Sequence, residues 1–245
     1  MLLSTAFFPP LSWFAAAAED WGRTVASNPS SVCDVYLEAH ENYCKQSYRN
    51  RCIIASANGP EAISVPVVHD GDIFHTPITD IKVDYEDPWV KKARRAIESA
   101  YSTSAYFEYY KDDVFAILDS GIPTLWDLNL AIINFFIKKI RLGIRIVPTE
   151  CFVNPNPVEG YPREACRPRQ CEREGPIACN GRDGKDYRNL IHPKRENSIL
   201  EDLNLKKPYF QVFAGKYGFQ SDLSVMDLLF NEGPQSLLYL VPSLV

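Results

Sequence analysis

The sequence predicts an α/β fold built on a mixed, partly antiparallel sheet with a cluster of helices. Three observations carry this. Short β-branched and apolar runs dominate residues 1–83, the strongest turn signal, Ala57-Asn58-Gly59-Pro60, lies between two of them, and apolar residues at helical spacing take over from 87 to 142.

The opening Leu2-Leu3-Ser4-Thr5-Ala6-Phe7 reads as a short buried strand, ending where Pro9 and Pro10 cannot donate to a ladder. A helix follows through Trp13 to Ala18, then a polar connection from Ser27 to Ser31, then a strand carrying Val32, Val35 and Leu37. Apolar character resumes at Cys52-Ile53-Ile54-Ala55, and Ala62, Ile63, Val65, Val67 and Val68 pair with it antiparallel across the turn. The sheet then gains Ile78, Ile81 and Val83.

Asp87-Pro88-Trp89 places an N-cap residue before a proline at the first helical position, and Val90, Ala93, Ile97, Ala100 and Tyr101 recur at helical spacing. A second helix runs from Tyr106 to Leu118. A third starts at Thr124, with Asp127 in a capping-box-like position, and Gly143 ends it after Leu142. Ile144, Ile146 and Val147 then form a buried strand before Pro148.

From Asn154 to Asn197 apolar periodicity is absent and proline, glycine, arginine and glutamate dominate, so this stretch reads as a long loop or insertion, mobile or part of a site. Tyr209 to Phe213 reads as a strand, Val225 to Phe230 as a helix, and Gly233-Pro234 as the start of a last short helix. The chain thus divides into a main α/β domain over 1–150, a proline-, arginine- and cysteine-rich insertion over 151–200, and C-terminal elements over 201–245 that pack back on the main domain.

Hydrophobic residues at 46% of 245 are ample for a sizeable core, while a net charge of -5 argues against a general nucleic-acid binder. No lysine or arginine precedes Leu2-Leu3, and Phe8-Pro9-Pro10 interrupts the apolar opening, so no signal peptide is expected. The longest apolar helix, Leu125 to Ile140, contains Asp127, Asn129, Asn134, Lys138 and Lys139, too many polar groups for a membrane span. A soluble cytoplasmic protein follows, with neither nucleic acid nor membrane as partner.

Seven cysteines, an odd number, point to reduced thiols rather than a disulfide framework. Cys33, Cys44 and Cys52 read as core or site neighbours. The gaps between Cys151, Cys166, Cys171 and Cys179 match no short zinc-knuckle pair, so no metal site is assigned; zinc on Cys166, Cys171 and Cys179 is the alternative, ordering the insertion as a lid. His69 and His75 lack a third ligand. No Walker lysine motif, dinucleotide fingerprint or Gly-x-Ser-x-Gly elbow is present, and no cofactor is assigned.

Chemistry concentrates in a polar dozen between two apolar runs, His40 to Arg51, where an ordinary hairpin needs about 2 to 5 residues. If Lys45, Arg49 and Arg51 converge they form a cationic cup for phosphate or carboxylate, with Tyr43, Gln46 and Asn50 beside it; the alternative is a solvated face paired with Glu38 and Glu41. His40 is the candidate general base, oriented by Glu41 or Glu38, or else a structural histidine at a strand end. Cys44 beside Lys45 is a weaker nucleophile candidate, lacking local partners. Gln211, an amide between Phe210 and Val212, is a candidate ligand contact, and Asp227 reads as a helix cap.

The chain resembles the WbqC-like protein family through Phe7-Phe8-Pro9-Pro10, then Asn42-Tyr43 followed by Lys45 and Arg49-Asn50-Arg51. Val65-Pro66-Val67, Trp89, Ile97 with Tyr101, Asp127-Leu128-Asn129, Leu223-Ser224 and Asp227-Leu228-Leu229-Phe230-Asn231 extend it over most of the chain outside 154–197. Ser4-Thr5-Ala6 stands where relatives often carry histidine-glutamine-proline, and His40-Glu41 where paired aspartates are frequent. The resemblance implies a bacterial cytosolic protein linked to surface polysaccharide or O-antigen production. Combined with the dozen, it leads to an enzyme acting on an activated sugar by acyl or aminoacyl transfer, with a sugar nucleotide as anionic partner; the alternative is a non-catalytic protein docking an anionic ligand or partner.

Overall fold

The computed structural model describes residues 1–28, 30–69, 71–153 and 185–244. Their strands are β1 (Leu2–Ser4), β2 (Cys33–Glu38), β3 (Arg51–Ser56), β4 (Gly59–Ser64) and β5 (Ile144–Pro148). The helices are α1 (Leu11–Val25), α2 (Trp89–Tyr101), α3 (Phe107–Asp119), α4 (Leu125–Ile140), α5 (Ile199–Asp202), α6 (Ala214–Tyr217), α7 (Val225–Glu232) and α8 (Ser236–Leu240).

The architecture is mixed α/β, with two sheets. β1, β2 and β5 form a parallel sheet in the order β1-β2-β5, with Leu3 opposite Leu37 and Val35 opposite Ile146. β3 and β4 form a separate antiparallel pair around the expected turn, with Cys52 opposite Ile63. Parallel neighbours need a crossover, and α1 supplies it between β1 and β2. Its Ala15-Ala16-Ala17-Ala18 run is fully covered, with Trp13 and Phe14 buried beside it. Aromatic rings lock this layer: Phe136 of α4 meets Phe8 at 6.0 Å and Phe14 at 6.1 Å, both edge to face.

Several local expectations change. Ile78, Ile81 and Val83 add no strand, because Ile78 turns its N–H to the Glu41 carbonyl at 2.9 Å and Val83 makes only an isolated bridge to Val67. Tyr209 to Phe213 is not a strand either. The Gln211 side chain bonds the Gln220 main chain at both N–H and C=O, 2.9 Å each, and so closes residues 211–220 into a loop containing α6.

α4 begins as its sequence predicts, with Thr124 Oγ1 accepting the Asp127 N–H at 3.1 Å. α2 begins one residue later than expected, and the Asp87 carboxylate pairs with Lys92 at 2.9 Å instead of capping. Gly143 does not terminate α4: Arg141 takes the left-handed conformation, φ 66°. Glycine is needed at 143 for space, since a Cβ there would lie 2.2 Å from Trp21 Nε1.

Of the stretch read as a long loop, residues 154–184, with Cys166, Cys171 and Cys179, lie outside the described residues. Residues 185–188 are attached to the sheet: Leu2 N–H donates to Lys185 and Tyr187 N–H donates to Leu2, both at 3.0 Å. Tyr187 and Arg188 are buried, a placement that local composition does not record. No helix among the described residues is long and apolar enough to cross a membrane.

α7 carries a buried polar knot. Asp227 Oδ2 accepts from Tyr209 Oη at 2.7 Å and Gln211 Nε2 at 2.8 Å, and burial pushes its carboxyl up to about 6. Because the folded value lies above the unfolded one, the carboxyl favours folding most below pH about 4, and that contribution is lost as pH rises through about 6. Asp227→Asn keeps an oxygen for both donors and cannot ionise. Urea melts at pH 4 and pH 7 are expected to show the variant gaining up to roughly 3 kcal/mol over the wild type at the higher pH; parallel profiles would contradict it. Gly143→Ala is expected to lose about 1–3 kcal/mol in the same melts by overpacking against Trp21.

Candidate functional site

Parallel strands bring like ends together, and in open α/β sheets ligands bind outside the carboxyl ends. Ser4 ends β1, Glu38 ends β2, and Thr149 follows β5 directly. The polar dozen leaves from this edge and crosses to the antiparallel pair, so it joins two different sheets rather than two strands of one.

Glu38 is fully buried, and a carboxylate removed from water must find donors for its lone pairs. It finds four. Oε1 accepts from the His40 main-chain N–H at 3.0 Å and Thr149 Oγ1 at 2.8 Å; Oε2 accepts from the Val153 N–H and Arg188 Nη1, each at 2.9 Å. Arg188 also donates to Asp186 Oδ2 and the Val153 carbonyl, both at 2.7 Å. One carboxylate therefore binds the ends of two strands to the returning 185–195 segment.

A second ion pair lies beside it. Arg49 Nε donates to Glu41 Oε1 at 2.8 Å and its Nη2 to Glu41 Oε2, a two-pronged fit. Ser4 Oγ donates to Glu41 at 2.9 Å and accepts from Arg49 at 3.0 Å. Asn129 of α4 holds the Arg49 carbonyl at 2.7 Å. Ser4, Thr5, Tyr48, Arg49, Arg188 and Ile191 line a crevice of about 10 Å³, room for one water. Thr5 Oγ1 is buried there without a protein partner.

The third component comes from the returning segment. The Lys194 N–H donates to His192 Nδ1 at 3.2 Å, and Lys194 Nζ bonds Gln46 Oε1 in the dozen. Burial holds the His192 imidazole below its ordinary value, and the positive charges of Arg195, Arg49 and Lys194 push it the same way. A larger cavity of about 540 Å³ lies where α2 meets the end of α3, but its Lys91, Arg94, Glu98 and Asp119 mix charges, and no predicted site residue lines it.

The cationic cup does not form as expected. Arg49 turns inward to Glu41, its nearest carboxylate, while Lys45 is exposed with Nζ 4.8 Å from the Phe74 ring centre. Arg51 lies on β3, where the register brings it to Ser64 Oγ at 3.2 Å. Neither Glu41 nor Glu38 orients the His40 ring, whose Nε2 instead meets the Thr149 carbonyl at 3.1 Å.

Tyr43 is buried, its hydroxyl pushed up to about 12 by desolvation. Asn50 ties the dozen to Val65 through Nδ2, at 3.0 Å. Gln211 stands outside this group, since its hydrogen bonds among the described residues go to Tyr209, Gln220 and Asp227. Gathered at the strand ends are Ser4, Glu38, His40, Glu41, Arg49, Thr149, Arg188 and His192. Arg188 and His192 gave no local signal; Glu38, an acid directly after the apolar Leu37, gave one.

Removing one partner of a buried pair leaves an uncompensated charge, whereas exposed pairs contribute little. Arg188→Ala is expected to cost about 3–5 kcal/mol in urea melts. Arg145→Ala, which breaks the exposed 2.8 Å pair with Asp34, is expected to cost under about 1 kcal/mol. Equal losses would contradict the assignment.

An uncharacterized protein of Mycobacterium tuberculosis (strain ATCC 25618 / H37Rv), Rv1507c, is 27% identical over 205 residues, covering 81% of this chain and 83% of that protein. No solved structure matches. The model of the WbqC-like protein family matches residues 31–239, from just before β2 into α8, and the chain belongs to that family.

Proposed function

We propose that this protein binds the phosphate-bearing part of an activated sugar, such as a sugar nucleotide, outside the carboxyl ends of its parallel strands. There it transfers an acyl or aminoacyl group to the sugar, in cytoplasmic steps of surface-polysaccharide or O-antigen production. The observation that carries the reading is the arrival of two exposed cations, Lys194 and Arg195, at the dozen, where Lys194 Nζ bonds Gln46 Oε1, in a protein whose net charge is -5.

His40 supplies the base. A carbonyl only accepts, so the 3.1 Å contact to Thr149 assigns the proton to Nε2 and leaves the lone pair on Nδ1. As the acyl carbon bonds to the sugar hydroxyl or amine and its bond to the donor breaks, Nδ1 takes the acceptor's proton. Glu41 neutralises Arg49 and holds it, and so acts as a positioning group. The polysaccharide role rests on family resemblance, and the anion site on the charges.

Calorimetry with a panel of sugar nucleotides, followed by turnover with acyl donors, tests this. Binding is expected to weaken as salt rises and to fall roughly tenfold or more in a Lys194→Ala, Arg195→Ala double variant, whose substitutions are at exposed positions. His40→Ala is expected to keep binding and lose about 10²–10⁴-fold in kcat. Failure of the whole panel to bind, or equal binding by the double variant, would sink the reading; binding without turnover would make the protein a docking module.

A further inference from the structure

The cavity where α2 meets the end of α3, about 540 Å³, is of the size that holds a small organic ligand. Its charges divide into engaged and unengaged ones. Arg94 is pinned, since Nη1 donates to Asp119 Oδ2 at 2.6 Å and the guanidinium lies 4.6 Å from the Phe115 ring centre. Asp87 is held by Lys92 Nζ at 2.9 and 3.2 Å. Two lining acids are thereby answered, whereas Lys91 and Arg95, four residues apart on one face of α2, have no hydrogen-bond or ion-pair partner among the described residues. Glu98 is the remaining acid, a turn beyond Arg95, and its field also acts on Lys111. The two unengaged cations therefore outweigh it.

Main-chain donors lie at the same end. No side chain caps α2, because Asp87 is turned to Lys92, so the N–H groups of Val90 and Lys91 lack a partner among the described residues, and both residues line the cavity. The other side is apolar. Tyr85, Pro88 and Leu118 form it, and Tyr85 is fixed there by its hydroxyl, which donates to the Ile122 carbonyl at 2.8 Å.

We propose that this cavity is a second ligand site, which takes a phosphate monoester carrying a flat apolar group. Lys91, Arg95 and the first-turn N–H groups hold the phosphate, and Tyr85 and Leu118 cover the apolar body. A phosphate monoester carries close to two negative charges at neutral pH and three acceptor oxygens, which matches two cations and two N–H donors better than a carboxylate does. The site is separate from the strand ends and does not rest on the function proposed above.

Titration of the full chain with phenyl phosphate, followed by residue-resolved amide spectra, tests this. The largest shifts are expected at Val90 and Lys91. A Lys91→Ala, Arg95→Ala variant, altered only at exposed positions, is expected to stay folded and bind at least about tenfold more weakly, the loss of charged hydrogen bonds. Inorganic phosphate, which lacks the apolar body, and benzoate, which lacks the phosphate, are each expected to bind at least about fivefold more weakly than phenyl phosphate. The Lys194→Ala, Arg195→Ala variant is expected to give the same shifts at Val90 and Lys91 as the wild type, which separates this site from the strand ends. No shift at α2, shifts confined to the dozen and residues 185–195, equal binding by the Lys91→Ala, Arg95→Ala variant, or equal binding of inorganic phosphate or benzoate would each overturn the proposal.

Discussion

A single buried carboxylate organises this end of the molecule. Glu38 lies where β2 leaves the sheet, and its desolvation is offset only if every lone pair is used, which its four donors achieve. Those donors come from the next residue but one, from the residue after β5, from Val153, and from Arg188 far along the chain. The requirement to satisfy one charge thus dictates where three separate segments meet.

The electrostatic character of the site follows from this meeting. Arg188 and Arg49 face three carboxylates, Glu38, Asp186 and Glu41, so the ion pairs at the crevice leave no positive excess there. Lys194 and Arg195 arrive at exposed positions on the segment that Arg188 anchors. An acidic protein can in this way place exposed cations at one edge, because the carboxylates beneath them are used for holding the fold.

Patterns of short range were legible in the sequence: the turn at Asn58-Gly59, the cap at Thr124, the helical spacing of α2 and α3, and the apolar run of α7. Partners of long range were not. Nothing near the dozen says that β2 pairs in parallel with β1 and β5 while β3 belongs to another sheet, because alternation and apolarity do not name a neighbour. Gly143 illustrates the same limit: a glycine after a helix ordinarily signals a left-handed cap, and here it makes room for an indole. Arg49 was visible as a charge, but the preference for Glu41 over convergence with Lys45 and Arg51 depends on burial. Arg188 and His192 were hidden because they sit in a polar, proline-containing stretch whose composition reads as loop.

The dependence of the site on Glu38 is most directly measured by hydrogen exchange in a Glu38→Gln variant. Glutamine keeps the shape but removes the charge that holds Arg188 and replaces one acceptor oxygen by a donor. The amides of Tyr187 and Val153 are expected to lose protection by tenfold or more, about the loss of one charged hydrogen bond, while Ile54 and Ile63 in the antiparallel pair keep theirs. Unchanged protection at Tyr187 and Val153 in a folded variant would show that the returning segment is held by something other than this carboxylate.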